Sequence, residues 1–317
     1  MTTCRIAVDI GATNLRVARF ENDRDIRRLL RPTPRGSGAE AVADEIAAMI
    51  GELAPDRTII SAVCVGVPAP VDPHTGYVRE VSNLPEIEGV HLLPLLGARI
   101  PAPLFVRNDA ALATLGEHRR GAGNGVQDMV YVTISTGIGA GLIAGGRLVT
   151  GSRGYAGEVG ELLVPRVSGD ATRPVSIESV ASGAAMAKAA RQALDDGDES
   201  MLRGLPSITA REVVQMSEAG DRLARRIFEN AMRSLAFGIV DVIHLLNPEK
   251  VVLGGGVMRS EEPVLRSIKK TVKELAMKSS LRDDVDDLIV AGTLGDNAGL
   301  HGADAFLTEA ALQGALA

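Results

Sequence analysis

The sequence predicts a two-domain α/β protein. Strand-like and helix-like segments alternate along most of the chain, and a strand–glycine turn–strand unit occurs twice. At 317 residues the chain is also too long for one ordinary core. The segment Arg5–Phe20 alternates around a Gly-Ala turn (RIAVDI, GAT, NLRVARF) and reads as a hairpin with Asp9 ending its first strand. A helical pattern follows from about Ala39 to Leu53, then a buried strand, IISAVCVGV, that ends at Pro68. Pro70, Pro73 and Gly76 open a loop-rich stretch that runs past Asn83-Leu84-Pro85. The strand LFVRN leads into a helix over Ala110–Arg119, and Gly121, Gly123 and Gly125 loosen the connection beyond it.

The second half starts as the first does: MVYVTIS is a strand, TGIGAG a glycine turn, and LIAGGRLV a returning strand. Helices are expected from Glu178 to Asp195 and from Asp221 to Leu246. The strand KVVLGG, a helix to about Met277, the strand DLIVAG and a last helix near Asn297–Leu307 complete the pattern. The domain break is placed at Asp109. Residues 1–108 with about 303–317 form a small N-terminal lobe, and 109–302 a large C-terminal one.

Composition narrows the function. Apolar residues make up 45% and charged residues 23%, as in a packed cytoplasmic globule. No apolar run approaches the roughly 18 residues that cross a bilayer, and the start MTTCRIAVDIG reads as a strand rather than a signal peptide. A net charge of −6 argues against a nucleic-acid partner. Arg119-Arg120 and the group Arg27, Arg28, Arg31 read as solvated surface. Cys4 and Cys64, both in apolar segments, read as buried free thiols. With 3% aromatic residues and no Trp, a sugar site would rest on hydrogen bonds rather than ring stacking.

The chain has no Gly-Lys dipeptide, hence no P-loop, and no strand followed by Gly-x-Gly-x-x-Gly. Two glycine turns at strand ends remain. In Asp9-Ile10-Gly11-Ala12-Thr13-Asn14, small residues let backbone N–H groups approach an anion, Thr13 adds a hydroxyl, and Asp9 suits Mg²⁺ directly or through water. Thr133–Gly141 repeats the logic with Ser135 and Thr136 before Gly137, Gly139 and Gly141. Tight hairpins need glycine anyway, but two such turns suggest a phosphate chain held between two lobes. Asn108-Asp109 stands where a strand meets a helix. Asp109 is either an N-cap or a base taking a hydroxyl proton as the oxygen attacks a γ-phosphorus. Glu158, framed by Gly157 and Gly160, is either a solvated loop acid or a partner for sugar hydroxyls. Gly254-Gly255-Gly256 either packs a helix or admits the flat face of a nucleotide.

With these motifs in view, the chain resembles the ROK family of repressors, open reading frames and kinases. The likeness runs nearly end to end through DIGATN, GVPAPVD, SNLP, RNDAALATLGE, STGIGAG, GYAGEVGE, IESVASG, VVLGGGV and GTLGDNAGLHGA. The resemblance implies the actin-like ATPase (ribonuclease H-like) fold, with two lobes around a central cleft. It also implies phosphorylation of a hexose, commonly at the 6-hydroxyl, by Mg·ATP with closure over the substrate. Asp9, Gly11, Thr13 and Asn14 match the first phosphate motif, and Thr136, Gly137 and Gly139 the second. Asp109 matches the catalytic aspartate; Asn83, Asn108, Glu158 and Glu178 match sugar-contacting positions, and Gly255 and Gly256 the adenosine-side turn. A homodimer is implied as well.

Two departures stand out. Most members carry a histidine and three cysteines that bind structural zinc; here Glu161 holds the histidine position and 162–177 has no cysteine, so no zinc is expected. Ala69 stands where glycine is usual. Glucose is the first substrate expectation and N-acetylmannosamine or N-acetylglucosamine the second. A sugar-sensing protein without catalysis, and an actin-like assembly ATPase, are the competing classes.

Overall fold

The computed structural model describes residues 3–22, 24–55, 60–81, 83–168, 171–281, 284–312 and 314. Ser82 of the SNLP motif and residues 315–317 of the expected small lobe lie outside them. In chain order the elements are β1 Cys4–Ile10, β2 Asn14–Glu21, β3 Arg24–Pro32, α1 Gly38–Leu53, β4 Ile60–Val67, α2 Leu92–Gly97, β5 Leu104–Asn108 and α3 Asp109–Arg120. Then come β6 Met129–Ile134, β7 Ile138–Ala144, β8 Arg147–Val149, β9 Leu163–Ser168, β10 Ala171–Ser176, α4 Glu178–Ala181, α5 Gly183–Asp195 and α6 Ala210–Glu218. The last are α7 Arg222–Leu246, β11 Lys250–Gly254, α8 Glu261–Leu275, α9 Val285–Leu288, β12 Ile289–Ala291 and α10 Ala298–Leu312. None of the described helices is long and apolar enough to cross a membrane.

Two compact units emerge, residues 1–125 with 148–156 and 297–317, and residues 126–147 with 157–296. The first is built on a five-stranded sheet in the order β3-β2-β1-β4-β5. The hairpin β1–β2 is antiparallel, whereas β1, β4 and β5 run parallel, so their carboxyl ends share one edge. Val63, Val65 and Val67 of β4 pack in one core with α1 residues such as Ile46 and Met49. On the other face Ala62 and Cys64 are small, and Leu300, Ala303 and Leu307 of α10 close against them. Both cysteines are buried and free, and burial pushes the Cys64 thiol up to about 12. β3 was not expected; its run RDIRRLLRP is mostly exposed, and it exists as a strand because it pairs with β2 at the sheet edge.

Helix α3 packs with α10 backbone to backbone. A Cβ on Gly302 would stand 1.6 Å from the Leu112 carbonyl oxygen, and one on Gly116 2.2 Å from that of Ala298. This crossing places α3 in the first unit, so the observed division falls after Gly125 rather than at Asp109. Asp304 of α10, fully buried, is held by Arg5 at 2.7 Å and Arg120 at 2.5 Å, which ties α10 to β1 and to the end of α3.

The second unit repeats the scheme. Its sheet runs β12-β11-β6-β7-β8, with β6–β7 an antiparallel hairpin and β11 parallel to both β6 and β12. The core gathers Val130, Val132 and Ile134 of β6 with α7, whose Phe228, Met232, Leu235 and Ile239 face inward. The helix expected over 178–195 is broken. Ser182 leaves the helical conformation and caps α5, its Oγ accepting the Ala185 N–H at 3.2 Å. The glycine run is likewise shorter as a turn than expected: Ile138–Gly141 already belongs to β7, and only Ser135–Gly137 turns. A hairpin, β9–β10, fills the stretch in which zinc ligands would stand in most of the resembled family.

Gly302→Ala should force α3 and α10 apart and cost about 1–3 kcal/mol or more of stability. Urea denaturation followed by circular dichroism measures it; an unchanged midpoint would contradict the packing.

Candidate functional site

In the first unit the site residues collect at the shared carboxyl edge of β1, β4 and β5. Asp9 pairs in register with Gly66, and Gly66 with Arg107, so Asp9 and the end of β5 stand two strands apart, about 10 Å at ordinary strand spacing. Gly66 between them leaves room for the start of α3: a Cβ there would approach the Asp109 Cα to 3.7 Å and the Leu112 side chain to 3.2 Å. The N-cap of α3 is Asn108, whose Oδ1 accepts the Ala111 N–H at 2.9 Å, while its Nδ2 donates to the Ala69 carbonyl at 3.3 Å. Asp109 is therefore the first helical residue, half-buried, with Oδ1 accepting the Ala110 N–H at 2.7 Å.

The first glycine turn is closed internally. The Gly11 N–H donates to the Asn14 carbonyl at 3.0 Å, and the Thr33 hydroxyl to the Gly11 carbonyl at 2.6 Å. Asp9 is half-buried, ion-paired with Arg16 at 3.0 Å, and faces Gly299 at the start of α10. Arg35, which sequence reasoning missed, donates to the Ala12 carbonyl at 2.9 Å and the Asn83 carbonyl at 2.7 Å. It thus ties the turn to the exposed Asn83 loop. No sequence pattern marks it, because an arginine in a polar loop looks like any surface cation.

In the second unit Glu178 organises the other predicted residues. Its Oε2 accepts the Ile138 N–H at 2.7 Å, directly after the Ser135–Gly137 turn. A Cβ on Gly137 would lie 2.5 Å from that same oxygen, so a side chain there would displace the Glu178 carboxylate from the Ile138 N–H. Among the described residues the N–H groups of Thr136 and Gly137 donate to no protein acceptor, which leaves an anion-binding concavity of the kind successive amides form. Gly139 does not join it, being paired opposite Thr133 inside the ladder. The 157–161 loop lies on β7, and Glu158 is brought near Glu161 and Glu178. Partial burial of its side chain, then the charges of Glu161 and Glu178, push its pKa up, although the residue keeps an exposed surface. Among the described residues no three His, Cys, Asp or Glu side chains form a metal-binding group.

Gly255, at φ +89°, passes so close to β6 that a Cβ would stand 2.5 Å from the Ile134 carbonyl. Beside it opens a cleft of about 700 Å³ walled by α5, α6 and the turn after β11. Thr136, Gly183 and Gly256 stand at its small-residue part, and Arg191, Arg211 and Arg259 line it farther along those elements. Helix α6 was not foreseen, so this wall could not be read from the sequence. Thr209 caps it in a reciprocal box with Glu212, a signal present in Thr-Ala-Arg-Glu.

Comparison with known proteins follows the same lines. The ROK family model matches residues 5–310. A glucokinase of Thermotoga maritima is 32% identical over 312 residues, covering 96% of this chain and 97% of its own. An N-acetylmannosamine kinase of Escherichia coli is 31% identical over 269 residues, covering 82% and 85%. Among solved structures, a ROK glucokinase from Streptomyces griseus in complex with glucose and AMPPNP superposes with a TM-score of 0.77 at 29% identity, covering 95% of this chain and 98% of its own.

The carboxyl of Glu158 titrates above its unfolded value, so ionising it favours unfolding. The native state holds that advantage at low pH and loses it as pH rises through the raised value. Glu158→Gln should therefore raise the thermal midpoint at about pH 7, and the difference should vanish near about pH 4. Scanning calorimetry at both values tests it; a lowered midpoint at neutral pH would contradict the assignment.

Proposed function

The chain belongs to the ROK family, and from that premise we propose that it is an ATP-dependent hexose kinase, carrying the γ-phosphoryl group of Mg·ATP to a sugar hydroxyl. Glucose and the 6-hydroxyl are the first assignment. The observation that carries the reading is the start of α3. Asn108 takes the N-cap and Asp109 follows as the first helical residue, its Oδ1 accepting the Ala110 N–H, so its carboxylate stands at the carboxyl edge of the parallel strands, where ligands of α/β sheets gather.

Asp109 acts as the base, accepting the hydroxyl proton as the sugar oxygen attacks phosphorus. Asn83, Asn108, Glu158 and Glu178 are assigned to the sugar hydroxyls, consistent with a chain too poor in aromatic residues to stack a sugar ring. The amides of Thr136 and Gly137 take phosphate oxygens, and Gly11, Thr13 and Asn14 are assigned to phosphate as the family resemblance implies, Gly11 being the residue that lets that turn close on the Asn14 carbonyl. Gly139, paired opposite Thr133 in β7, is assigned to the same phosphate turn. Gly255 and Gly256 border the nucleoside. Asp9 fits a magnesium ion: it is one half-buried carboxylate at the end of β1 beside Gly299, which brings no side chain against it, and Mg²⁺ takes one or two carboxylates with the substrate's phosphates and water. When bound, the ion supplies neutralisation of charge on the β- and γ-phosphates. A zinc ion has no corresponding ligands, since 162–177 holds neither Cys nor His; the β9–β10 hairpin takes the place of that loop. The proposal includes a cytoplasmic homodimer, as the family resemblance implies.

A second reading, N-acetylmannosamine kinase, is favoured by relatives of that name at 31–32% identity and by Glu161 at a position that is histidine in most of the family. A panel of hexoses and N-acetylhexosamines in an ADP-release assay separates the two. On the sugar that works, Asp109→Asn should lower kcat by roughly 10²–10⁴-fold while KM for sugar and ATP moves little. Near-wild-type turnover would show that another group is the base.

A further inference from the structure

The cleft of the second unit has a property that the phosphate turn does not explain. Its lining includes no aromatic side chain among the described residues, yet three arginines border it. The face of α5 that lines it carries Gly183, Ala184, Ala187 and Arg191, so small residues give way to a guanidinium two turns on, about 12 Å along the axis from Gly183. Gly183 itself donates its N–H to the Ser135 carbonyl at 2.8 Å, which fixes this end of α5 at the phosphate turn. Arg191 therefore stands at the end of the cleft far from that turn. Its Nη1 donates to the Ile208 carbonyl at 2.9 Å, which holds the guanidinium against the loop before α6. Arg259, on the turn that follows Gly256, is similarly held, its Nη2 pairing with Asp296 at 2.9 Å.

A flat, tethered guanidinium is a stacking surface for a π-system, and an ammonium is not. The cleft also offers aliphatic walls from Val214 and Val257. We propose that Arg191 and Arg259 are specificity-determining residues that seat the purine base of the donor by guanidinium stacking, in place of the aromatic platform this chain lacks. The inference rests on the kinase reading for its ligand and concerns the base rather than the phosphates. Distance from the Thr136–Gly137 amides separates the two roles for Arg191, which stands two helical turns along α5, while Arg259 borders the base from the turn that carries Gly255 and Gly256.

Isothermal titration of the full-length protein with adenosine, and separately with tripolyphosphate, tests this for wild type, Arg191→Ala, Arg191→Lys and Arg259→Ala. Each alanine variant should weaken adenosine by about two- to fivefold, the range of one solvent-exposed cation–π contact, and leave tripolyphosphate binding unchanged. Arg191→Lys keeps the charge but not the plane, so it should resemble Arg191→Ala with adenosine. In kinetics the same variants should raise KM for ATP and leave KM for the sugar in place. Adenosine binding untouched by both alanine variants, or tripolyphosphate weakened as much as adenosine, overturns the proposal. A wild-type protein that binds adenosine through these arginines yet phosphorylates no sugar would sink the kinase reading and leave this one standing.

Discussion

The hydrogen bond from the Ile138 N–H to the Glu178 carboxylate is the contact around which the second unit's site is arranged. It fixes an acid beside the Ser135–Gly137 turn and engages the first amide of β7, while the two amides of the turn itself stay available. Everything nearby is shaped to permit it. Gly137 leaves the carboxylate room, Ser182 breaks the helix after α4, and α5 starts at Gly183 against the Ser135 carbonyl. Had 178–195 remained one helix, the start of α5 could not have met the turn. After burial and the charge of Glu161, the negative charge of Glu178 also raises the pKa of Glu158.

The first unit answers with the same sheet order and a different outcome. There the hairpin turn is closed by its own Asn14 and Thr33 contacts, and the chemistry moves to the ends of β1 and β5. Two parallel strands beside an antiparallel hairpin occur in both units, which gives each a carboxyl edge on which functional residues collect. The duplicated architecture thus yields two unlike edges, the first unit's carrying Asp9 and Asp109, the second unit's carrying the Thr136 and Gly137 amides, two glutamates and the arginine-lined cleft.

Much of this was legible in the residues. Alternation and β-branching located most strands, and the two glycine turns were found by their strand-end positions. Three features were hidden for physical reasons. β3 is polar and exposed, so only its pairing with β2 makes it a strand. The hairpin β9–β10 carries Pro165 and Pro174 opposite one another, residues that argue against a strand when read singly. Arg35 and Arg191 act through backbone carbonyls distant in sequence, Asn83 and Ile208, which no local spacing encodes. The division after Gly125 was missed because the α3–α10 crossing depends on Gly116 and Gly302, nearly two hundred residues apart.

The central claim is that phosphoryl transfer goes to a sugar and not to water. Phosphorus NMR of the protein with Mg·ATP and glucose, or the N-acetylhexosamine that replaces it, observes both products at once. The account predicts a growing sugar phosphomonoester resonance matched by ADP, with negligible inorganic phosphate. Inorganic phosphate alone, or ATP left intact with every sugar, would contradict it.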